Sequence, residues 1–220
     1  LEERLGGARK LGDCTGAMDW PKRGIYFFRQ ADEQRSNSLT SSSSSGSRSR
    51  VIRVGTHAVS KNSRSTLWGR LSNHRGPAST GGGNHRGSVF RKLVGEALMQ
   101  RDKHICPTWS AGKTATKTIR KAEQPIERAV SAALGEMELL WLAIDDPPSR
   151  HSLRGVIERN AIALLSNYEK PPLDTPSPQW LGHFSLKSKV RQSGLWNQRH
   201  VEEKYDPSFL DALEELIGRL

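Results

Sequence analysis

The side chains of this sequence with the most chemical potential are Tyr26, in a run of β-forming residues, Arg70 and His74, four residues apart, and Glu158, inside an apolar helical pattern. A phenol or an imidazole can carry a proton. A guanidinium presents a rigid fork of donors that fits a phosphate. A carboxylate binds a hard divalent cation. Each also has an ordinary use. Tyr26 could pack a half-buried strand, Arg70 and His74 could lie on a solvated helix face, and Glu158 could pair with Arg154. Glu96, Glu136 and Glu138 are competing carboxylates. Two simpler sites are excluded. Gly112-Lys-Thr114 ends like a phosphate-binding loop, but the glycine required five residues earlier is Pro107. The seven histidines include no pair spaced as H-x-x-x-H, and the two cysteines, Cys14 and Cys106, allow neither a disulfide framework nor a four-cysteine zinc site.

Residues so far apart meet only if the fold brings their elements together. Gly24-Ile-Tyr-Phe-Phe-Arg29 follows Pro21 and reads as a strand, and 51–55 reads as a second. Antiparallel pairing of the two is expected. Between them, 36–50 is polar, with five consecutive serines at 41–45, and reads as a flexible insertion. Residues 65–74 read as a helix capped by Ser65 or Thr66, with Leu67, Trp68 and Leu71 as its apolar stripe. On it Arg70 and His74 share a face. After the Gly81-Gly82-Gly83 break come a helix over 88–100, a loop over 101–120 and a helix starting at Pro125. A buried strand is expected over 137–144 and a long helix from Leu153 to Tyr168. Two more helices follow a proline-rich loop, one around 185–192 and one from Pro207. The first 20 residues read as a short amphipathic helix and a loop. The expected fold is α/β (α+β), a small three-stranded antiparallel sheet flanked by helices with helical C-terminal additions. It divides into a lead-in (1–20), a central domain (21–170) and an extension (171–220).

Composition narrows the partners. The net charge is +11, and residues 1–120 hold 22 Lys/Arg against 8 Asp/Glu while the remainder holds 12 against 15. Between Gln34 and Gly95 there is no acidic residue. A field of one sign suits a polyanion, most directly nucleic acid. No apolar run approaches the ~20 residues of a spanning helix. The first ten residues are charged and show no apolar h-region, so a cytoplasmic location is expected.

Gly24-Ile25-Tyr26 at a strand start, Val54-Gly55 at the end of the next strand, a helix bearing Arg70 and a long helix bearing Glu158 together resemble the GIY-YIG nuclease superfamily. Segments 53–57, 66–76 and 83–88 also resemble a bacterial GIY-YIG-like group. The resemblance covers roughly residues 20–170. It implies hydrolysis of phosphodiester bonds, with DNA, most plausibly double-stranded, as the substrate and Mg²⁺ or Mn²⁺ as the cofactor. Tyr26 would act as general base or proton relay, assisted by His57 and His74. Arg70 would clamp the phosphate, and Glu158 would hold the metal. A late asparagine often completes such sites; Asn197 is the candidate here, with Asn160 and Asn167 as rivals. Arg53, Arg75, His85, Arg86 and Arg91 are the expected nucleic-acid contacts.

The sequence departs from the family pattern at one telling place. The tyrosine usual two residues before the second-motif glycine is Arg53, which can touch phosphate but cannot carry a phenolic proton. Tyr26 and Arg53 lie 27 residues apart, farther than usual, an excess attributed to the serine-rich insertion. Two other functions stay open: a nucleic-acid-binding module that has lost catalysis, and an interaction domain docking through acidic Glu202-Glu203 and Glu214-Glu215. Trp109, Trp180 and Trp196 are expected to pack in the core, with base stacking the alternative.

Overall fold

A computed structural model describes residues 1–35 and 49–220. The serine-rich insertion expected over 36–50 therefore lies outside the described residues except for Ser49 and Arg50. The chain runs β1 (Arg9–Lys10), β2 (Gly24–Gln34), β3 (Ser49–Thr56), α1 (Leu67–Arg75), α2 (Val89–Arg101), α3 (Lys117–Gly135), β4 (Glu138–Ala143), α4 (Leu153–Leu165), α5 (Ser188–Ser193) and α6 (Ser208–Gly218). The strands form one antiparallel sheet in the order β1-β4-β2-β3. The three strands read from the sequence make its body, and β1 adds a two-residue edge where Arg9 and Lys10 pair with Leu139 and Glu138.

Alternation along the strands divides the core in two. Tyr26, Phe28 and Leu139 face α1, α2 and α3, where they meet Leu67, Leu71, Phe90 and Val130. Ile25, Phe27, Val54, Leu140 and Leu142 face α4 and α6, against Ile157, Ile162 and Phe209. A bulge interrupts the β2–β3 ladder, since Phe28 pairs with Arg53 but Arg29 pairs with Val51. The extra residue is Ile52, which joins the α1–α3 core, while the Arg53 guanidinium lies 4.6 Å from the centre of the Phe90 ring. The bulge thus turns Ile52 toward the Tyr26 face, which Arg53 already shares as the direct partner of Phe28.

Two boundaries differ from the sequence reading. No N-terminal helix forms: the left-handed glycines Gly6 and Gly7 (φ 69° and 108°) break the chain before β1 and a 3-10 turn over Leu11–Asp13. α3 begins at Lys117 rather than at Pro125, capped by the Thr116 side chain on the Ile119 amide (3.3 Å). Its inward face is Glu123, Ile126, Glu127, Val130 and Leu134, and the two glutamates hide the apolar period.

The outer edge of β3 is covered by the C-terminal segment. The Trp196 amide donates to the Ile52 carbonyl (2.8 Å). The Asn197 side chain accepts from the Val54 amide (3.1 Å) and donates to its carbonyl (2.8 Å). A side-chain amide thereby does the work of one more strand residue.

Candidate active site

Tyr26 pairs directly with Gly55 across the β2–β3 ladder. A Cβ at position 55 would lie 2.4 Å from the Tyr26 hydroxyl, so only glycine lets the phenol cross the neighbouring strand. This is the physical content of the Val-Gly motif. The phenol is fully buried and its oxygen lies 2.9 Å from Nε2 of His74. His74 Nδ1 in turn meets the Ser88 hydroxyl at 2.7 Å. Ser88 caps α2 by accepting from the Arg91 amide (3.2 Å). Tyr26, His74 and Ser88 thus form one hydrogen-bonded line from β2 through α1 to the start of α2. Burial, with Arg70, Arg53 and Arg91 adding, holds His74 well below the usual histidine range, so its ring is neutral.

Arg70, Arg53 and Arg91 act on His74, and Glu158 lies within electrostatic reach of the first two. Arg53 is buried and donates to the Trp196 carbonyl (2.9 Å). Burial lowers its affinity for its proton, while Tyr26 and Glu158 beside it act in the opposite direction. Arg70, half-buried on α1, lies within electrostatic reach of Arg53, His57, His74 and Glu158. Its guanidinium makes no hydrogen bond or ion pair among the described residues. Glu158, half-buried on α4, comes round the end of the sheet and accepts from the Thr56 amide (3.0 Å). Burial pushes its carboxyl above the usual range, against the Thr56 bond and the charges of Arg53, His200 and Arg70. It forms no ion pair among the described residues; Arg154, the expected partner, is held by Asp146 and the Ala58 carbonyl. The rival carboxylates are committed elsewhere, Glu96 to Ser110 and Lys92, Glu136 to Lys10 and Glu138 to Arg29.

His57 sits one residue beyond the Thr56–Glu158 contact. Nδ1 bonds the Ser65 carbonyl at 3.1 Å, and Nε2 is buried without a partner among the described residues. Burial, then Arg154, Arg70 and Arg23, lower its pKa to about 4. The ring is therefore neutral, with an Nε2 lone pair available as acceptor.

Among the described residues no three His, Cys, Asp or Glu side chains gather as a metal cage. Glu158 alone supplies a carboxylate beside Arg70. An unpaired, partly desolvated carboxylate fits a Mg²⁺-type ion, which takes one or two protein carboxylates and completes its shell with water and phosphate oxygens.

The other expected site residues lie elsewhere. Asn197 spends both ends of its amide on Val54 and so positions β3. Asn160 bonds the Val156 carbonyl and the Asp206 amide, and Asn167 bonds Asp174 and Leu173. Arg75 points away, onto the Gly12 carbonyl. His85, Arg86 and Arg91, expected as nucleic-acid contacts, are all engaged inside the protein. Arg91 is fully buried and bonds Glu127 and the carbonyls of His74, Arg75 and Glu127. His85 bonds Glu127 through Nδ1 (2.9 Å), accepts from Ser110 at Nε2 and stacks on Trp109. Arg86 forms a two-bond fork with Glu123 (2.6 and 2.8 Å). The acid-free stretch is thus not an open field of positive charge. Arg35, Arg50, Arg86, Arg91 and Lys92 each meet a carboxylate contributed from outside it or from its margins: Asp174, Glu33, Glu123, Glu127 and Glu96. The acidic tail is also partly neutralised, with Glu202 on Lys189, Glu203 on Arg159 and His200, and Glu215 on Arg219.

Three participants escaped the sequence reading. Ser88 and Thr56 carried no signal beyond a cap and a strand end. His200, left-handed at φ 65° and bonded to Glu203 (2.8 Å), lies near Glu158 from a segment read as an appendage.

Neither a curated protein nor a solved structure matches the chain. A family model does, that of the GIY-YIG domain, over residues 1–220. The motif pair seen as Tyr26 lying over Gly55 is therefore part of a match that runs from the N-terminal turns to the last helix, and the chain belongs to the GIY-YIG nuclease superfamily.

Proposed function

We propose that this protein hydrolyses phosphodiester bonds in double-stranded DNA with Mg²⁺ or Mn²⁺ as cofactor. The observation that carries the reading is Arg70. A half-buried guanidinium with no partner among the described residues, close to both His74 and Glu158, calls for an anion. A phosphodiester supplies that anion. Its oxygens would take the Arg70 donors, whose charge offsets the charge that builds on phosphorus in the transition state. Tyr26 would take a proton from the attacking water while passing its own to Nε2 of His74, with the Ser88 hydroxyl accepting from Nδ1. The free Nε2 of His57, within electrostatic reach of Arg70, is a second acceptor. Arg53 lies within electrostatic reach of both Tyr26 and Glu158. A divalent cation at Glu158 would stabilise the leaving 3′ oxygen.

Plasmid nicking with Mg²⁺ or Mn²⁺ tests this. Tyr26→Phe and Glu158→Ala should each abolish it while leaving the fold intact. Cleavage that persists in both variants removes the proposal.

A second reading is favoured by one feature. The Tyr26 phenol is fully buried with its hydroxyl already bonded, and Arg53 stands where the family's second tyrosine usually does. A nucleic-acid-binding module without catalysis would look like this. It would bind DNA with strong salt dependence and nick it with no metal.

A further inference from the structure

The chain has six tryptophans. Trp109, Trp180 and Trp196 are buried, as core packing requires. Trp20, Trp68 and Trp141 are not; all three are partly exposed and form one aromatic group. Trp20 stacks on Trp68 with ring centres 5.1 Å apart and planes 21° from parallel, and it meets Trp141 at 4.7 Å. Trp141 is the cross-strand partner of Tyr26, so the group stands on the Tyr26 side of the sheet. Partly exposed indoles in contact are costly in water unless something covers them.

Trp20 and Trp68 line a cavity of about 390 Å³ with Met18, Asp19, Lys22 and Thr66. That volume lies within the range of small-ligand sites. The Trp20 indole N–H is fixed on the Thr15 carbonyl at 2.7 Å, so its ring is held in place. The Trp68 N–H makes no hydrogen bond among the described residues. Its helix is the one that carries Arg70: Trp68 and Arg70 flank the buried stripe of Leu67, Leu71 and His74, on opposite sides of α1.

We propose that the Trp20–Trp68 pocket takes an unpaired nucleobase of the DNA strand whose phosphate sits at Arg70. The inference rests on the nucleic-acid reading above and narrows its substrate from intact duplex to DNA with a locally unpaired strand. Flat aromatic faces stack any base. The two exposed charges set the orientation. Lys22 attracts the flanking phosphate, while Asp19 repels phosphate and accepts from an exocyclic amino group. The base therefore enters and the backbone stays outside, crossing the first turn of α1 toward Arg70. Cytosine, which carries such an amino group, fits better than thymine, which does not.

The test uses the full chain in EDTA, with labelled oligonucleotides of about 12 nucleotides, a length within known single-strand site sizes. Binding is read by anisotropy and by tryptophan emission. Oligo-dC should bind more tightly than oligo-dT, than the matching duplex and than dCMP, and should quench emission. Trp68→Leu should weaken oligo-dC binding roughly 5- to 150-fold, the worth of one base–aromatic stack. Lys22→Gln, at an exposed position, should reduce the salt slope by about one. Trp68→Phe keeps a ring in the core edge and should retain most of the affinity, which covers the case of a misfolded Trp68→Leu. Equal binding by wild type and folded Trp68→Leu, or tighter binding of duplex or of dCMP, overturns the pocket and leaves the nuclease reading standing. Quenching by oligo-dC without nicking in metal supports the pocket and overturns hydrolysis. No binding of any probe overturns both.

Discussion

Gly55 and the Tyr26 phenol occupy one space: the position a Cβ would take at residue 55 is 2.4 Å from the hydroxyl oxygen. Gly55 has an ordinary backbone conformation, so the constraint is contact alone. Gly55→Ala should therefore destabilise the protein by about 1–3 kcal/mol, the usual cost of overpacking. It should also displace Tyr26 from His74 and cut nicking in proportion. Thermal denaturation read alongside plasmid nicking checks both effects. An unchanged melting temperature would mean that the phenol does not lie across β3.

Tyr26→Phe separates packing from chemistry. The ring and its contacts with Phe28 and His74 remain, and one 2.9 Å hydrogen bond is lost. The stability cost should be about 1 kcal/mol. Nicking should fall by roughly 10²–10⁴-fold, the range for loss of a general base. Single-turnover rates on a nicked-circle assay give the comparison.

Arg91 and Arg70 should behave as opposites. Arg91→Ala leaves Glu127 buried against His85 with its main cation gone, and should cost about 3–5 kcal/mol. Arg70→Ala breaks no hydrogen bond or ion pair among the described residues and should change stability by less than about 0.5 kcal/mol. Activity and DNA affinity should instead fall with Arg70→Ala. Denaturant titration and filter binding on both variants decide the point.

Acid should unfold the protein through its histidines before its carboxylates. His57 titrates near 4 in the fold, against 6.5 in the open chain, and His74 is also held down. Between these values the unfolded chain binds more protons, so stability falls as pH drops from about 6.5 toward 4. For His57 the shift corresponds to about 3 kcal/mol. His57→Asn should flatten that limb of a stability-versus-pH curve and leave the region above pH 7 unchanged.

Glu158 has the reverse sign. Its folded carboxyl is raised, so its ionisation works against the fold as pH rises through and above the ordinary carboxylate range. Glu158→Gln keeps an acceptor for the Thr56 amide and removes the buried charge. At neutral pH this variant should be more stable than wild type while losing metal-dependent nicking, a stability–activity trade measurable by calorimetry and cleavage on one preparation.

Much of the site was legible because its logic is local. Gly24-Ile25-Tyr26 and Val54-Gly55 announce two strands, and Arg70 with His74 announces a helix face. What the sequence concealed depends on distant partners. The run from Gln34 to Gly95 contains no acid, yet Arg86 and Arg91 find Glu123 and Glu127 on α3, far along the chain. The same two glutamates broke the apolar period of α3 and moved its apparent start to Pro125. His200 comes near Glu158, and Asn197 comes onto β3, from a segment whose local pattern speaks only of short helices. Trp20 and Trp141 are separated by more than half of the chain, so nothing in either neighbourhood foretold their contact.

The clasp of Trp196 and Asn197 on β3 has a practical corollary for anyone trimming this gene product. A fragment ending at the long helix α4 would retain Gly24-Ile25-Tyr26, Val54-Gly55, Arg70 and Glu158. It would nevertheless strip Arg53 of its carbonyl partner and bare the ladder of Ile52 and Val54. Such an unprotected border invites edge-to-edge association between copies, so the shortest soluble, competent version should extend past Asn197.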